Sequence, residues 1–246
     1  MNILCVDTSS VYASCAILKD EQIVSEKTIL SGLVHSKSIM PLVEQVLEGA
    51  SMDIEEIDVF ACVAGPGSFT GVRIGVCATK GLAQANNKPC YAVNTLDCLK
   101  ENVPCVKTVC PILDARRGQV YSAVYEDGVV IRDYDVCLLD DVLEFVKDKK
   151  TLFLGDGVKV FKDKIVSALG ENAIFALPQH NFLRASSGAY LTKKAMKENS
   201  TESGFSSLHR PFFATVSAQF FKKSINPHIH RFTETNLCSS HFLYVR

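Results

Sequence analysis

Residues 63–75, Val-Ala-Gly-Pro-Gly-Ser-Phe-Thr-Gly-Val-Arg-Ile-Gly, decide the fold of this chain. The apolar, β-branched run 58–64 predicts a buried strand, and the spacing of residues 72–84 predicts a helix. A strand, a glycine loop and a helix N-terminus leave backbone N–H groups for an anion or a closely packed neighbour. The spacing is GxGxxxG rather than the GxGxxG of dinucleotide folds, and it lacks the Lys-Ser/Thr ending of a P-loop. The loop is therefore either a phosphate cradle or a tight turn that packs a helix on a sheet.

Composition places the chain among ordinary globular proteins. Its 246 residues are 47% hydrophobic and 22% charged, which suits one large or two small domains. No apolar run approaches the ~20 residues of a membrane span, and residues 1–15 lack a charged start and a cleavage site. We expect a cytoplasmic protein without membrane contact. Ten cysteines show no CxxC pair, so Cys5, Cys62, Cys77 and Cys110, at apolar positions of predicted elements, are expected to be reduced core residues.

Charge is unevenly distributed along the chain. The formal net charge of −1 argues against a generally basic nucleic-acid-binding protein. Residues 1–150 carry a net charge of −7 and residues 151–246 carry +6. The second half is therefore expected to have a weakly basic surface, although a solvated helix explains part of this asymmetry.

The order of predicted elements indicates an α/β fold with an internal duplication. The first half has strands at 2–7, 13–19, 22–29, 58–64 and 90–93, and helices at 35–49 and 68–84. Pro41 is expected in the first turn of its helix, where it is tolerated. The second half has strands at 109–113, 119–126, 129–134 and 152–154, an exposed helix around 140–150 and a helix at 185–196. Each half opens with a three-stranded antiparallel meander, which predicts two lobes with mixed sheets.

An Asp-containing turn follows the first strand of each meander, at Asp7-Thr8-Ser9-Ser10 and at Asp114-Ala115-Arg116-Arg117-Gly118. With a glycine loop before a helix, this is the arrangement that actin-like and sugar-kinase-like (ASKHA) ATPases use for phosphates. The chain resembles the TsaB family of bacterial tRNA threonylcarbamoyladenosine biosynthesis proteins, a glycoprotease-like family paralogous to TsaD. The matching pieces run in family order: Ile3 to Ser9, His35-Ser36, Met40-Pro41, Gly65 to Gly75, Ala78 to Ala83, Asp114 to Arg116, Val120-Tyr121, Gly155 to Gly157 and Arg184 to Ser187.

The resemblance implies a domain organisation. Residues 1–106 correspond to an N-terminal actin-like lobe that binds the partner, and residues 107–202 to a C-terminal lobe. From residue 203 the match ends, so residues 203–246 are expected to be an atypical or disordered tail. A metal site at His228 and His230 is the weaker alternative, because no Cys or carboxylate pattern completes it.

The resemblance also implies that this chain has no catalytic residues and no metal of its own. In TsaD, the segment after the glycine-loop helix carries two metal-binding histidines spaced HxxxH. Here Thr95 and Leu99 take those positions, and neither is a suitable ligand. His35, the remaining candidate, is expected to be a helix cap or a surface contact.

Small residues at Gly71, Gly75 and Thr79 form a stripe on one face of the predicted helix. The stripe packs either on the chain's own sheet or on another helix. The resemblance favours a partner, because TsaB proteins pair with TsaD, and with themselves, through helices of the N-terminal half. Gly75→Leu is then expected to keep the fold and abolish pairing. The predicted partner-binding residues are Met40, Val43, Pro66, Phe69, Gly71, Arg73, Gly75, Val76, Thr79 and Lys80.

The function implied by the resemblance is indirect. TsaD, with its own metal, moves a threonylcarbamoyl group from threonylcarbamoyl-AMP to the adenosine 3′ of the anticodon, and the ATPase TsaE resets the complex. This chain would scaffold and activate TsaD, meet tRNA through the complex, and offer Lys159, Lys162, Lys164 and Lys193 to phosphates. ADP or ATP at the TsaD interface would be a residual ligand of Asp7, Thr8 and Ser9.

Two enzyme classes are the alternatives. One is a glycoprotease-type metalloenzyme, which the missing HxxxH disfavours. The other is an actin-like phosphotransferase, in which Asp7 would orient metal and nucleotide while the backbone of Ser9 and Ser10 meets a phosphate. Asp114 and Arg116 are predicted to be a structural pair rather than catalytic groups.

Overall fold

The protein is described here by a computed structural model covering residues 1–32, 34–103 and 105–202, with side chains up to residue 198. Its strands are β1 (Asn2–Asp7), β2 (Tyr12–Lys19), β3 (Gln22–Leu30), β4 (Val59–Val63), β5 (Cys90–Val93), β6 (Thr108–Arg116), β7 (Gln119–Glu126), β8 (Val129–Leu138), β9 (Thr151–Leu154) and β10 (Ala173–Phe175). Its α-helices are α1 (His35–Ala50), α2 (Phe69–Ala85), α3 (Thr95–Glu101), α4 (Leu139–Val146), α5 (Gly157–Leu169) and α6 (Ala185–Glu202).

The strands form two five-stranded sheets with the same internal order, β3-β2-β1-β4-β5 and β10-β9-β6-β7-β8. In the first, β1–β2 and β2–β3 pair antiparallel, whereas β1–β4 and β4–β5 pair parallel. In the second, β6–β7 and β7–β8 are antiparallel, and β6–β9 and β9–β10 are parallel. This repeat confirms the predicted duplicated α/β fold with a meander at the start of each mixed sheet.

The core sits on both faces of the central strands. β1 reads Asn-Ile-Leu-Cys-Val-Asp and is buried after its first residue, as expected of a strand covered on both sides. Leu4 and Val6 pack under α1 and α2, whereas Ile3 and Cys5 belong to a cluster that includes residues of both sheets, α3 and α6. α6 packs on β1 and β2 of the first sheet although it follows the second. The division at residues 1–106 and 107–202 stays a prediction.

Several details differ from the sequence-based expectations. α3, α5 and β10 had not been predicted. Pro41 lies beyond the first turn of α1, which starts at His35, and its exposed ring is accommodated at the cost of one intrahelical hydrogen bond. Cys77 is exposed, because its position on α2 faces solvent, whereas Cys5, Cys62 and Cys110 are buried free thiols as expected.

The predictions for residues 203–246, including a metal site at His228 and His230, lie outside the residues that the structure describes. Within the described chain, no helix is both long and apolar enough to cross a membrane.

Candidate partner-binding site

The glycine loop between β4 and α2 is closed by hydrogen bonds within the chain. The Ser68 amide donates to the Ser9 carbonyl at 2.7 Å, and the Gly71 amide donates to Ser68 Oγ at 3.3 Å. A Cβ atom at Gly67 would lie 2.3 Å from the Ser9 carbonyl oxygen, so only glycine permits this approach. Two amides of the loop are therefore bonded within the chain, and the close approach of Gly67 to Ser9 is that of a tight turn which packs α2 on the β1–β2 turn.

The small residues of α2 face the chain's own β1–β2 turn. A Cβ atom at Gly71 would lie 2.1 Å from the Thr8 carbonyl oxygen, and one at Gly75 would lie 2.4 Å from Thr8 Oγ1. The Thr8 hydroxyl donates to the Gly71 carbonyl at 2.7 Å. The expectation that Gly71 and Gly75 meet a partner is therefore wrong, and so is the expectation that Gly75→Leu would keep the fold near native.

Other predicted contact residues are also buried in the chain itself. Thr79 is 0% exposed and Val43 is 1% exposed. Pro66 and Val76 are buried as well. Val43 packs in the core between α1, α2 and the first sheet, and Val76 packs against β4 and β5. Because all four side chains are buried in the chain itself, their prediction as direct contacts is corrected.

The remaining predicted residues are exposed on α1 and α2, two helices that pack against each other. Phe69 is 59% exposed, and the Arg73 guanidinium lies 3.6 Å from the centre of its ring, a cation–π contact. Met40 is exposed on α1, as are Arg73 and Lys80 on α2. Val34, just before α1, is exposed too and had not been predicted. We call Val34, Met40, Phe69, Arg73 and Lys80 the α1–α2 face.

A cleft of about 350 Å³ lies between the β1–β2 turn and the β6–β7 turn, and Phe69 is at its edge. Its wall includes Ser9 and Thr95, whose hydroxyls are buried without a hydrogen-bond partner in the described chain. Asp7 is fully buried beside Ser9, whose amide donates to its Oδ1 at 2.9 Å. Burial raises the pKa of Asp7 to about 6, although the hydrogen bond from the Ser9 amide opposes this rise.

Known proteins similar to this chain share both its sequence and its fold. The profile of the family described as "TsaD: tRNA N6-adenosine threonylcarbamoyltransferase" matches residues 30–198. The tRNA threonylcarbamoyladenosine biosynthesis protein TsaB of Bacillus subtilis is 35% identical over 202 residues, 79% of this chain and 88% of that protein. The chain belongs to the TsaB family. TsaB of Escherichia coli is 34% identical over 129 residues, 51% of this chain and 55% of that protein.

Solved structures agree on the fold. YeaZ from Pseudomonas aeruginosa superimposes with a TM-score of 0.68 at 24% identity, covering 81% of this chain and 93% of that one. The ethanolamine utilization protein EutJ from Carboxydothermus hydrogenoformans gives 0.52 at 13% identity, covering 78% of this chain and 89% of that one. These structures share the predicted α/β architecture of two mixed five-stranded sheets.

In this TsaB-family chain, Thr95 and Leu99, the positions expected from the resemblance to replace the metal-binding histidines of TsaD, both line the cleft. Thr95 offers one neutral hydroxyl, and Leu99 is an apolar core residue. His35 lies elsewhere: it is buried against α2 near Gly71 rather than acting as a surface contact, and burial lowers its pKa. The residues present therefore do not fit a TsaD-type metal.

In the β6–β7 turn and at Lys193, charged groups that the sequence had singled out are paired within the chain. The Arg116 amide donates to Asp114 Oδ1 at 2.8 Å and its guanidinium lies 3.4 Å from Oδ2. The two residues therefore form a pair, and their structural rather than catalytic role stays a prediction. Lys193 is buried and bonded to Glu21 at 2.5 Å and to the Asp20 carbonyl. Its predicted role in binding phosphate is therefore corrected, because its charge is already paired inside the chain.

Proposed function

We propose that this chain is a non-catalytic, cytoplasmic subunit of tRNA threonylcarbamoyladenosine biosynthesis that binds and activates a TsaD-like transferase through its α1–α2 face. Its TsaB relatives carry this pathway in their names. The observation that carries the proposal is the exposed Phe69–Arg73 pair on a helix whose other face is fixed to the chain's own core. A rigid helix presenting an aromatic and an arginine is typical of an interface hot spot.

Proteins that bind through such residues depend on a few of them for most of their affinity. More than half of Phe69 is exposed and can be buried in a complex. The Arg73 guanidinium already stacks on its ring, so both side chains are ordered before the partner binds. Loss of one hot-spot side chain costs about 2 kcal/mol or more, which is about thirtyfold in affinity. Lys80 and Met40 are expected to surround this centre.

The binding test compares two exposed phenylalanines of the same chain. Phe69→Ala should weaken binding to the TsaD-like partner about thirtyfold in titration calorimetry and prevent copurification. Phe145→Ala, on α4, removes a side chain that is 43% exposed far from the α1–α2 face, and should bind like the wild type. Equal affinities of the two variants would refute the α1–α2 face as the partner site.

The activity test uses the reconstituted complex. The TsaD-like protein, a TsaE-like ATPase, threonylcarbamoyl-AMP and tRNA should give modified adenosine only when this chain is added. The Phe69→Ala variant should restore modification only at concentrations about thirtyfold higher, because saturation by the weaker complex needs more subunit. Full modification without this chain would remove the proposal.

Two further proposals concern residual nucleotide binding at the β1–β2 turn and direct tRNA contact at α5. The Thr8 hydroxyl and the Ser9 amide already have partners in the chain, so this turn offers a nucleotide only a wall at Ser9. We therefore assign the phosphate contacts of ADP or ATP to the TsaD side, which predicts calorimetric binding of ADP to the complex and none to this chain alone. For tRNA, Lys159 and Lys162 on α5 are exposed, whereas the ammonium group of Lys164 pairs with Asp140 at 2.8 Å. Neutralisation of Lys159 and Lys162 should reduce the salt dependence of binding by the complex.

The same α1–α2 face is proposed to pair two copies of this chain in the absence of TsaD. Because one surface cannot bind two partners at once, added TsaD-like protein should replace the homodimer of this chain by a heterodimer. Sedimentation velocity with the Phe69→Ala variant, which should remain a monomer, checks this pairing.

A further inference from the structure

A second cavity, of about 640 Å³, lies on the opposite side of the first sheet from α1 and α2. It is bounded by α3, by the second half of α6 and by β8, and none of the α1–α2 face contributes to it. Its volume is within the range of protein ligand sites. The TsaB-type function proposed above makes no use of it.

The lining of this cavity is mainly acidic. Five carboxylates face two ammonium groups: Asp97, Glu101, Asp133, Asp135 and Glu198 against Lys100 and Lys194. Lys100 is held by Glu101 at 3.0 Å. The resulting excess of negative charge favours a cationic occupant.

Asp97 is the best ordered of these carboxylates. The hydroxyls of Tyr125 and Tyr134 both donate to its Oδ1 at 2.7 Å. Burial and the neighbouring Asp97 raise the pKa of both tyrosines, so they stay protonated donors. Two such donors fix the orientation of the Asp97 side chain, which is what a positively charged side chain needs for a directional contact.

The third wall of the cavity is an edge strand. β8 is last in the order of the second sheet, and no described strand pairs with its outer side. Val129, Val130 and Ile131 at its start are exposed by 66%, 36% and 37%. An exposed edge with consecutive β-branched residues is a template for an added strand. Two residues of the same strand, Val130 and Tyr134, line the cavity.

We propose that β8 and this cavity bind an extended segment of another protein that carries an arginine or lysine. The segment adds a strand to the β8 edge, its apolar residues cover Val129 to Ile131, and its basic side chain enters the cavity and contacts Asp97. Charge complementarity and the β8 edge together select this occupant: a neutral strand does not match the acidic lining of the cavity, and a compact basic surface cannot follow the edge.

The test uses the full chain and two labelled peptides. One alternates valine and threonine over about ten residues with a central arginine, and the other replaces arginine by the uncharged, equally shaped citrulline. Fluorescence anisotropy should give an affinity about tenfold higher for the arginine peptide, and Asp97→Asn should abolish this difference. Asp163→Asn, an exposed carboxylate on α5 outside the cavity, should leave it unchanged.

Folding of the variants is controlled by thermal melts, since an asparagine Oδ1 can still accept both tyrosine hydroxyls. Tyr134→Phe is the second variant and should reduce the preference for arginine by loosening Asp97. Equal affinity for both peptides, or no saturable binding of either up to about 1 mM, would overturn the proposal.

A cross-linker identifies the occupant. With p-benzoylphenylalanine in place of Val129, the arginine peptide should be captured. Capture of a second copy of this chain, or of residues 203–246 of the same chain, in preference to the peptide would overturn the assignment to another protein. A failure here would leave the α1–α2 face untouched, because the two surfaces share no residue.

Discussion

Asp7 offers the most direct physical test of the site, because a carboxylate is held inside the first sheet without a charged partner. Its Oδ1 accepts from the Ser9 amide, whereas its Oδ2 has no hydrogen-bond partner in the described chain. The rise of its pKa from 3.8 to about 6 corresponds to about 3 kcal/mol at ~1.36 kcal/mol per unit. We expect Asp7→Asn to remove this contribution, since asparagine keeps the Oδ1 acceptor and cannot ionise.

The sign of the effect follows from linkage. The folded chain holds the Asp7 proton more tightly than the unfolded chain, so this contribution is fully present below pH 3.8 and is lost as pH rises through about 6. The wild type should therefore lose stability relative to Asp7→Asn across this window, by up to about 3 kcal/mol at pH 8 compared with pH 3.5. The absolute difference at one pH is less informative, because the new amide N–H groups are also buried and cost about 1–3 kcal/mol.

Urea denaturation at several pH values between about 3.5 and 8 measures the free energy of unfolding of both proteins. The matched control is Asp163→Asn, an exposed carboxylate, whose curve should run parallel to that of the wild type. Parallel curves for Asp7→Asn and the wild type would refute the reasoning, since they would mean that Asp7 titrates alike in the folded and unfolded chains.

Two further predictions concern packing and a buried charge. Gly75→Ala puts a Cβ 2.4 Å from Thr8 Oγ1 and should lower the free energy of unfolding by about 1–3 kcal/mol in urea; Gly81→Ala, with nothing within 4 Å, should raise it by up to ~1 kcal/mol. Equal effects at the two glycines would contradict the packing of α2 on the β1–β2 turn. Lys193→Met removes the ammonium group that the β2–β3 turn binds at 2.5 Å and should cost about 1–3 kcal/mol in thermal melts. Lys197→Met, at an exposed position, should cost less than about 1 kcal/mol. Equal losses of stability in the two lysine variants would contradict the burial of Lys193.

The sequence was sufficient for the two three-stranded meanders because the strands of each meander are neighbours in sequence. Runs of apolar residues separated by turns, such as 2–7 and 119–126, carry their pairing partner within a few residues, and the structure has both strands with these bounds. α3 and α5 were missed for different reasons. α3 has only 7 residues, and α5 begins at Gly157, in a Gly-Asp-Gly stretch whose glycines are typical of a turn.

The sequence could not predict which face of α2 packs on the chain itself and which face is exposed. Small residues at Gly71 and Gly75 fit equally well under a partner helix or under the chain's own turn, and only the position of Thr8 decides between them. Lys193 was misplaced for a similar reason: a lysine in a charged helix usually faces solvent, but the β2–β3 turn, some 170 residues away, happens to meet it. Both errors concern contacts between segments distant in sequence, which local patterns do not encode.

The closed glycine loop and the exposed Phe69 have one structural cause. The Ser68 amide is tied to the Ser9 carbonyl, and the next residue is Phe69, the first of α2. The bond that occupies the loop amide therefore also fixes where α2 begins and which way Phe69 points. Gly67 permits this bond, with φ at +156° and no room for a Cβ.

Gly67→Ala should therefore weaken partner binding without touching the α1–α2 face. The alanine Cβ would push the loop away from Ser9 and shift the start of α2, so we expect at least about tenfold weaker binding to the TsaD-like protein in calorimetry. Gly32→Ala is the matched control, since this glycine also has a positive φ but has open space around it; it should cost stability through its backbone and leave affinity near that of the wild type. If Gly67→Ala bound the partner normally while folded, the loop would be irrelevant to the presentation of Phe69, and the closed cradle and the α1–α2 face would be independent features of the fold.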